Sequence, residues 1–243
     1  MTVRKGSANL SSNDTKLFLD VIKQLVIAPG DPNPYGNFVD IHNMSIIDHR
    51  MHGRHIMNGM IMSDPMGSKR FLCWHRDYLL NLEKIGQKID SKFFIPFWDW
   101  TTERQVPGWI LSYKPTVKVA GNNIIVKRNP QSPDLLPTQT DIDKILKKKS
   151  FLLFTHALEG GPHNFVHGWV NGTMSSVPTA PADPIFWMHH AQIDRIWSMW
   201  QKKFNGGPKS GPTLSGHYAV MDPWNEKVSD LLSISNLGYS YEN

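Results

Sequence analysis

The sequence predicts a single, mainly helical domain spanning residues 1–243. Three observations carry that expectation. Apolar residues recur at three- and four-residue steps through Phe71, His75, Tyr78, Leu79, Leu82, Ile85 and Ile89, and again strongly through 183–203. One stretch only, "VKVAGNNIIVKR", reads as a short β-hairpin, with its turn expected at Gly121, Asn122 and Asn123. No internal repeat or clean linker divides the chain, and 243 residues can bury one substantial core.

From the N-terminus, residues 11–28 open with Ser and Asp capping candidates and continue as the amphipathic run "TKLFLDVIKQLVIA", closed by Pro29 and Gly30. "DPNPYGN" is a loop. A His- and Met-rich segment from about Phe38 to Met62 is expected to be helical in part, with interruptions at Gly53 and Gly59. After the helix through 71–89, "FFIPFWDW" (93–100) is an aromatic buried connection broken by Pro96. Residues 101–140 are rich in Pro, Asn and Thr and form long loops around the hairpin. Helical patterns resume at 141–159, 163–171 and 183–203, and "NGGPKSGPTLSG" is a flexible loop.

Composition excludes several classes. The 26 basic and 21 acidic residues give +5, scattered except for Lys147, Lys148 and Lys149, so no basic stripe supports nucleic-acid binding. Cys73 is the single cysteine, which forbids an internal disulfide. No 18-residue apolar run suggests a membrane span, and "MTVRKGSANLSSND" lacks the apolar region of a signal peptide. These points favour the cytoplasm, with export alongside a partner as the alternative. The unusual totals are eleven histidines, eleven methionines and nine tryptophans.

Two histidine groups have the spacing of ligands. His163 and His167 stand at i and i+4, which places two imidazoles on one helix face. His189 and His190 point about 100° apart on a helix, so one of them reaches a given metal. Such a pair plus one further histidine makes a three-imidazole set suited to copper, zinc or iron. Each histidine could equally be an ordinary core or surface residue.

In chain order "FLCWHRDYLLNLE", "IPFWDW", "GPHNFVHGWV" and "VPTAPADPIFWMHHAQIDRIWSMWQ" resemble the tyrosinase family of binuclear copper oxidases, while the middle loops and residues 43–65 match it poorly. "VRKG" around Arg4 resembles the opening of that family's core, and "LGYSYEN" its closing tyrosine pair, Tyr239 and Tyr241. The resemblance implies a four-helix bundle housing two coppers, each held by three histidine Nε2 atoms, with dioxygen bound between them. It implies copper B on His163, His167 and His190, with His189 behind the site. Asp194 would then orient the site, or simply pair with Arg195 or Arg76.

Copper A would take His42 and His75. The family's middle ligand stands nine residues before the third, and counting back from His75 reaches Met66. A thioether suits Cu(I) but is a poor ligand for Cu(II). Three outcomes are therefore open: weak ligation by Met66, replacement by His49, His52 or His55, or a deficient copper A that leaves a single-copper protein. The sequence leans to the last. Met51, Met57, Met60, Met62 and Met66 read as core filling before a copper-gathering strip.

The resemblance further implies ortho-hydroxylation of monophenols and oxidation of o-diphenols to o-quinones by dioxygen. Glu159 and Asn164 match the pair that holds a water near the phenol, Glu159 only across a deletion before Pro162. Val177 and Gly168 match the pocket mouth, and Phe71 is expected to pack on the copper A imidazoles. Trp98, Trp100, Phe186, Trp187, Trp197 and Trp200 read as bundle core. Cys73 lies too late in the chain for the Cys–His link of some relatives and reads as a buried thiol. The chain stops soon after the tyrosine pair, which implies an accessible site or copper loading by a helper protein. A catechol oxidase without monophenol activity and a hemocyanin-like oxygen or copper carrier are the rival readings.

Overall fold

The computed structural model describes residues 1–47, 51–52, 54–57, 60–63, 65–205 and 210–242. Strand β1 (Thr2–Arg4) pairs in parallel with the last strand, Tyr239–Tyr241. Helix α1 (Ser12–Ile27) begins where the sequence places it, because Ser11 and Asp14 form a reciprocal capping box. Helix α2 (Pro34–Ile47) starts earlier than expected. Asn33 caps it by accepting a hydrogen bond from Gly36 N–H (2.6 Å), and Pro34 occupies the first helical position, where a missing N–H costs nothing.

The expectation of a partly helical 38–62 segment holds as far as Ile47, and the described residues from there to Ser63 are not helical. Arg54–Met57 (β2) and Met60–Ser63 (β3) form an antiparallel hairpin instead, in which His55 faces Met62 and Met57 faces Met60 in register. Helix α3 (Pro65–Ile89) then runs 25 residues and carries Phe71 through Leu82 on its buried face. After a short helix α4 (Gly108–Leu111), strands β4 (Thr116–Val119) and β5 (Asn122–Ile125) form the anticipated hairpin. Its turn falls at Ala120 (φ 43°) and Gly121 (φ 79°), and not at Asn122 and Asn123. A two-residue hairpin link needs positive φ at both positions, and Gly121 adopts it without steric cost.

Helices α5 (Gln139–Leu146) and α6 (Phe151–Leu158) lead to a widened, π-type turn at Glu159–His163. Gly161 leaves helical geometry there (φ −99°, ψ −109°), and Pro162 follows it. That kink re-aims the chain into α7 (Asn164–Val170), so His163 precedes the helix and does not lie within it. Helix α8 (Pro184–Gln201) is capped by Asp183 and buried along nearly its whole length. The last strand is β6 (Tyr239–Tyr241). Helix α3 packs against α8, α6 and α1. The five tryptophans of the expected core, at 98, 100, 187, 197 and 200, are all fully buried.

Behind the histidines, α3 and α8 are joined by a buried charge cluster. Arg76 Nε donates to Asp194 Oδ1 (2.6 Å), and the hydroxyls of Tyr239 and Tyr241 each donate to Asp194 Oδ2 at 2.6 Å. Arg4 completes it, 3.5 Å from Asp194 and paired with Glu83. Of the two arginines that the sequence offers Asp194, Arg195 turns instead to Asp99 (3.1 Å). Burial alone would raise the Asp194 carboxyl pKa, but Arg76 and Arg4 outweigh it and hold it below the usual carboxylate range.

Candidate metal centre

Two groups of imidazoles face each other between α2, α3, α7 and α8. In the first, nitrogens of His42, His52 and His75 lie within 4.8 Å of one another. In the second, those of His163, His167, His189 and His190 do so. The two groups meet at His75 and His190, whose rings stack 4.2 Å apart. All but His52 and His167 are fully buried.

Which nitrogen each ring offers follows from what its other nitrogen does. His75 Nδ1 donates to Phe71 O (2.9 Å) within its own helix. His167 Nδ1 donates to Met174 O (2.8 Å). His163 Nδ1 reaches Asn164 Oδ1 (2.9 Å) and Glu159 O (3.3 Å). A neutral ring that gives its Nδ1 proton to an oxygen presents a bare Nε2 lone pair, the form that binds metal. The Nε2 atoms of His42, His52, His75 and His163 are buried and meet no hydrogen-bond partner. His167 Nε2 and His190 Nε2 approach each other at 3.2 Å, a contact that needs a proton or a metal between two lone pairs.

His189 behaves differently. Trp100 Nε1 donates to its Nδ1 (3.2 Å), so the neutral ring carries its proton on Nε2 and has no lone pair to give there. The geometry thus separates two adjacent histidines that spacing alone leaves equivalent. Burial, and then the neighbouring imidazoles, push His42, His163 and His190 well below the ordinary histidine pKa, and burial pushes His167 to about 4. These four rings therefore stay neutral and competent as ligands at physiological pH.

Against the lean toward a deficient first site, His52 places a third imidazole nitrogen beside those of His42 and His75. It stands between α2 and β2, outside any helix. Gly67 lets it approach α3, since a Cβ there would lie 2.1 Å from the His52 carbonyl oxygen. Met66, in the first turn of α3, is half-buried and is not required for a three-imidazole set. His49 lies outside the described residues, as do the side chains of His55, Met57, Met60 and Met62. Met51 is fully buried in the core.

Other expected residues are distributed unevenly. Asn164, Gly168 and Val177 are exposed, and His167 is half-buried. A Cβ at Gly168 would meet nothing within 4 Å, so a side chain would have room there. Phe71 is wholly buried between the two groups, 4.8 Å from His75 and 4.7 Å from His163, and so backs both groups without lining the mouth. Phe186, read as plain core, packs 4.1 Å from His190 and 5.3 Å from His42. Cys73 is a buried thiol with its pKa pushed up to about 12 by burial. Glu159 is buried, its Oε1 3.3 Å from His52 Nδ1 and its Oε2 3.2 Å from Ser68 Oγ.

Comparison with known proteins agrees with this arrangement. The sequence matches the common central domain of tyrosinase over residues 32–124 and 109–203. It is 29% identical to a tyrosinase of Streptomyces galbus, over 96% of this chain and 97% of that protein. It is 30% identical to hemocyanin units G and H of Sepia officinalis, over 85% of this chain and 39% of that protein. A functional unit of octopus hemocyanin has the same fold, with a TM-score of 0.78 at 24% identity, over all of this chain and 68% of that one. With two groups of converging imidazoles and a match across most of its length, the chain belongs to the tyrosinase family, as a tyrosinase-like oxidoreductase whose cofactor is copper.

Proposed function

We propose that one copper is held by His42, His52 and His75 and a second by His163, His167 and His190, and that the pair hydroxylates monophenols at the ortho position and oxidises o-diphenols to o-quinones. The observation that carries this reading is the convergence of six imidazole nitrogens, four of them buried with no protein partner. Copper, when bound, supplies the redox couple and the dioxygen activation that the side chains lack. Copper-dependent oxidation of phenols is common ground for the family; the hydroxylation step is the finer claim.

The chain's own residues supply positioning. The half-buried His167 offers a ring on which an aromatic substrate could lie, and the open space at Gly168 with the exposed Val177 would admit substituted phenols. A phenol has a pKa near 10, so hydroxylation at neutral pH calls for a proton acceptor beside the hydroxyl. Asn164, itself exposed, is suited to hold a water there: its Oδ1 accepts from His163 Nδ1–H, which leaves its amide N–H groups to donate. The exposure of this rim supports turnover of a diffusing substrate over simple oxygen storage.

One observation favours the second reading, oxidation of catechols alone. Both carboxylate oxygens of Glu159 are engaged, by His52 and Ser68, and so are poorly placed to take a proton from phenol. Parallel turnover of tyrosine and catechol by the copper-loaded chain decides between them. Formation of o-quinone from both supports hydroxylation; turnover of catechol alone reduces the reading to a catechol oxidase, and turnover of neither contradicts it.

A further inference from the structure

We infer that Glu159 is a positioning residue that couples the two histidine trios, and that its carboxylate is what allows His52 to serve as a ligand in place of the sulfur at Met66. The inference rests on the two-copper reading above.

His75 and His167 find their Nδ1 acceptor in a nearby main-chain carbonyl, and His163 shares its Nδ1 between the adjacent Asn164 Oδ1 (2.9 Å) and Glu159 O (3.3 Å). His52 has no such support, because it lies on non-helical chain between α2 and β2. Its Nδ1 acceptor comes instead from a residue 107 positions away, through Glu159 Oε1 at 3.3 Å. Glu159 is itself held: it is 6% exposed, and Ser68 Oγ donates to its Oε2 (3.2 Å). Thr155 Oγ1 donates to Ser68 O (3.1 Å), which ties α6 to the first turns of α3. The widened turn at 159–163 gives the residue a double reach. Its carbonyl oxygen faces His163 Nδ1 at 3.3 Å while its carboxylate faces His52 Nδ1 at the same distance. The planes of these two rings are inclined by 29°, with centroids 5.7 Å apart.

A carboxylate on the far nitrogen of a ligating imidazole fixes its tautomer, fixes its ring plane and strengthens it as a donor. For a histidine on irregular chain this support replaces what a helix provides. Because the link to His163 is main-chain and the link to His52 is side-chain, truncating the side chain should release only the first trio.

The test is copper retained per folded chain, by mass spectrometry after loading and dialysis against a weak chelator. The unaltered chain should keep two coppers. Glu159→Ala should keep one, with affinity at the first trio about 10–100-fold weaker, while Glu159→Gln, which preserves an acceptor oxygen, should stay near two. In a His52→Ala background, which keeps one copper, adding Glu159→Ala should lower the count no further. The unfolding midpoints of the metal-free variants show whether each is folded. Two tightly held coppers in Glu159→Ala would overturn the inference, as would a fall below one in the double variant. A single copper in the unaltered chain would instead sink the two-copper reading on which it rests.

Discussion

The second histidine trio is built from helices, the first only partly so. His163, His167 and His190 sit on or beside α7 and α8, and two of them are oriented by nearby carbonyls. His42 and His75 are likewise helical, but His52 reaches the first trio from irregular chain and is oriented by a carboxylate from across the site. The contrast teaches that a copper site demands converging nitrogens, and that the element delivering each one is interchangeable if a second contact fixes the ring. The cost is that the first trio depends on more distant parts of the chain.

The largest expected effect strikes both trios at once. Asp194 follows His190 by one turn and pairs with Arg76, the neighbour of His75. Asp194→Ala leaves Arg76 and Arg4 buried without that partner and should cost about 3–5 kcal/mol in urea unfolding of the metal-free chain. Equal loss of copper from both trios should accompany it; loss from one alone would mean that the cluster supports only its own helix. Next in size is the second trio. His190→Ala should weaken its copper by on the order of 100-fold or more and abolish most turnover, whereas His189→Ala should keep two coppers. Reversal of those two results, read by copper content, would refute the tautomer assignment through Trp100. A smaller effect is confined to the first trio: Gly67→Ala drives a methyl toward the His52 carbonyl and should weaken copper there by about tenfold while sparing the second trio.

The smallest effect separates scaffold from site by pH. For histidines with a lowered folded pKa, the unfolded chain takes up protons first. Their contribution to stability is therefore whole above about pH 6.5 and declines as pH falls toward the folded value, about 4 for His167. Asp194, with its pKa depressed, keeps its contribution above about pH 3.9 and loses it only as pH falls through its lower folded value. The unfolding midpoint of the metal-free chain should thus drop in two stages. A flat midpoint from pH 6.5 to 4 would contradict the neutral, buried state of the rings.

Much of this was legible in the sequence because it is periodic. The pattern through 71–89 and 183–203 marks α3 and α8, and Ser11 with Asp14 marks the start of α1. The hairpin at 54–63 was missed although Asn58–Gly59, a dipeptide that favours two-residue hairpin links, separates its strands. The place of His52 beside His42 and His75 was not readable, since it rests on a glycine at 67 and a carboxylate at 159 that no local pattern connects. Likewise, His189 and His190 were told apart by an indole N–H contributed from residue 100.

The central claim, that six histidines hold two coppers with His52 closing the first trio, is tested most directly by counting copper per chain in the unaltered protein and in His52→Ala. The account predicts two and one, with the count restored to two when Met66→His is added to His52→Ala. One copper in the unaltered chain, or two retained by His52→Ala, would contradict it.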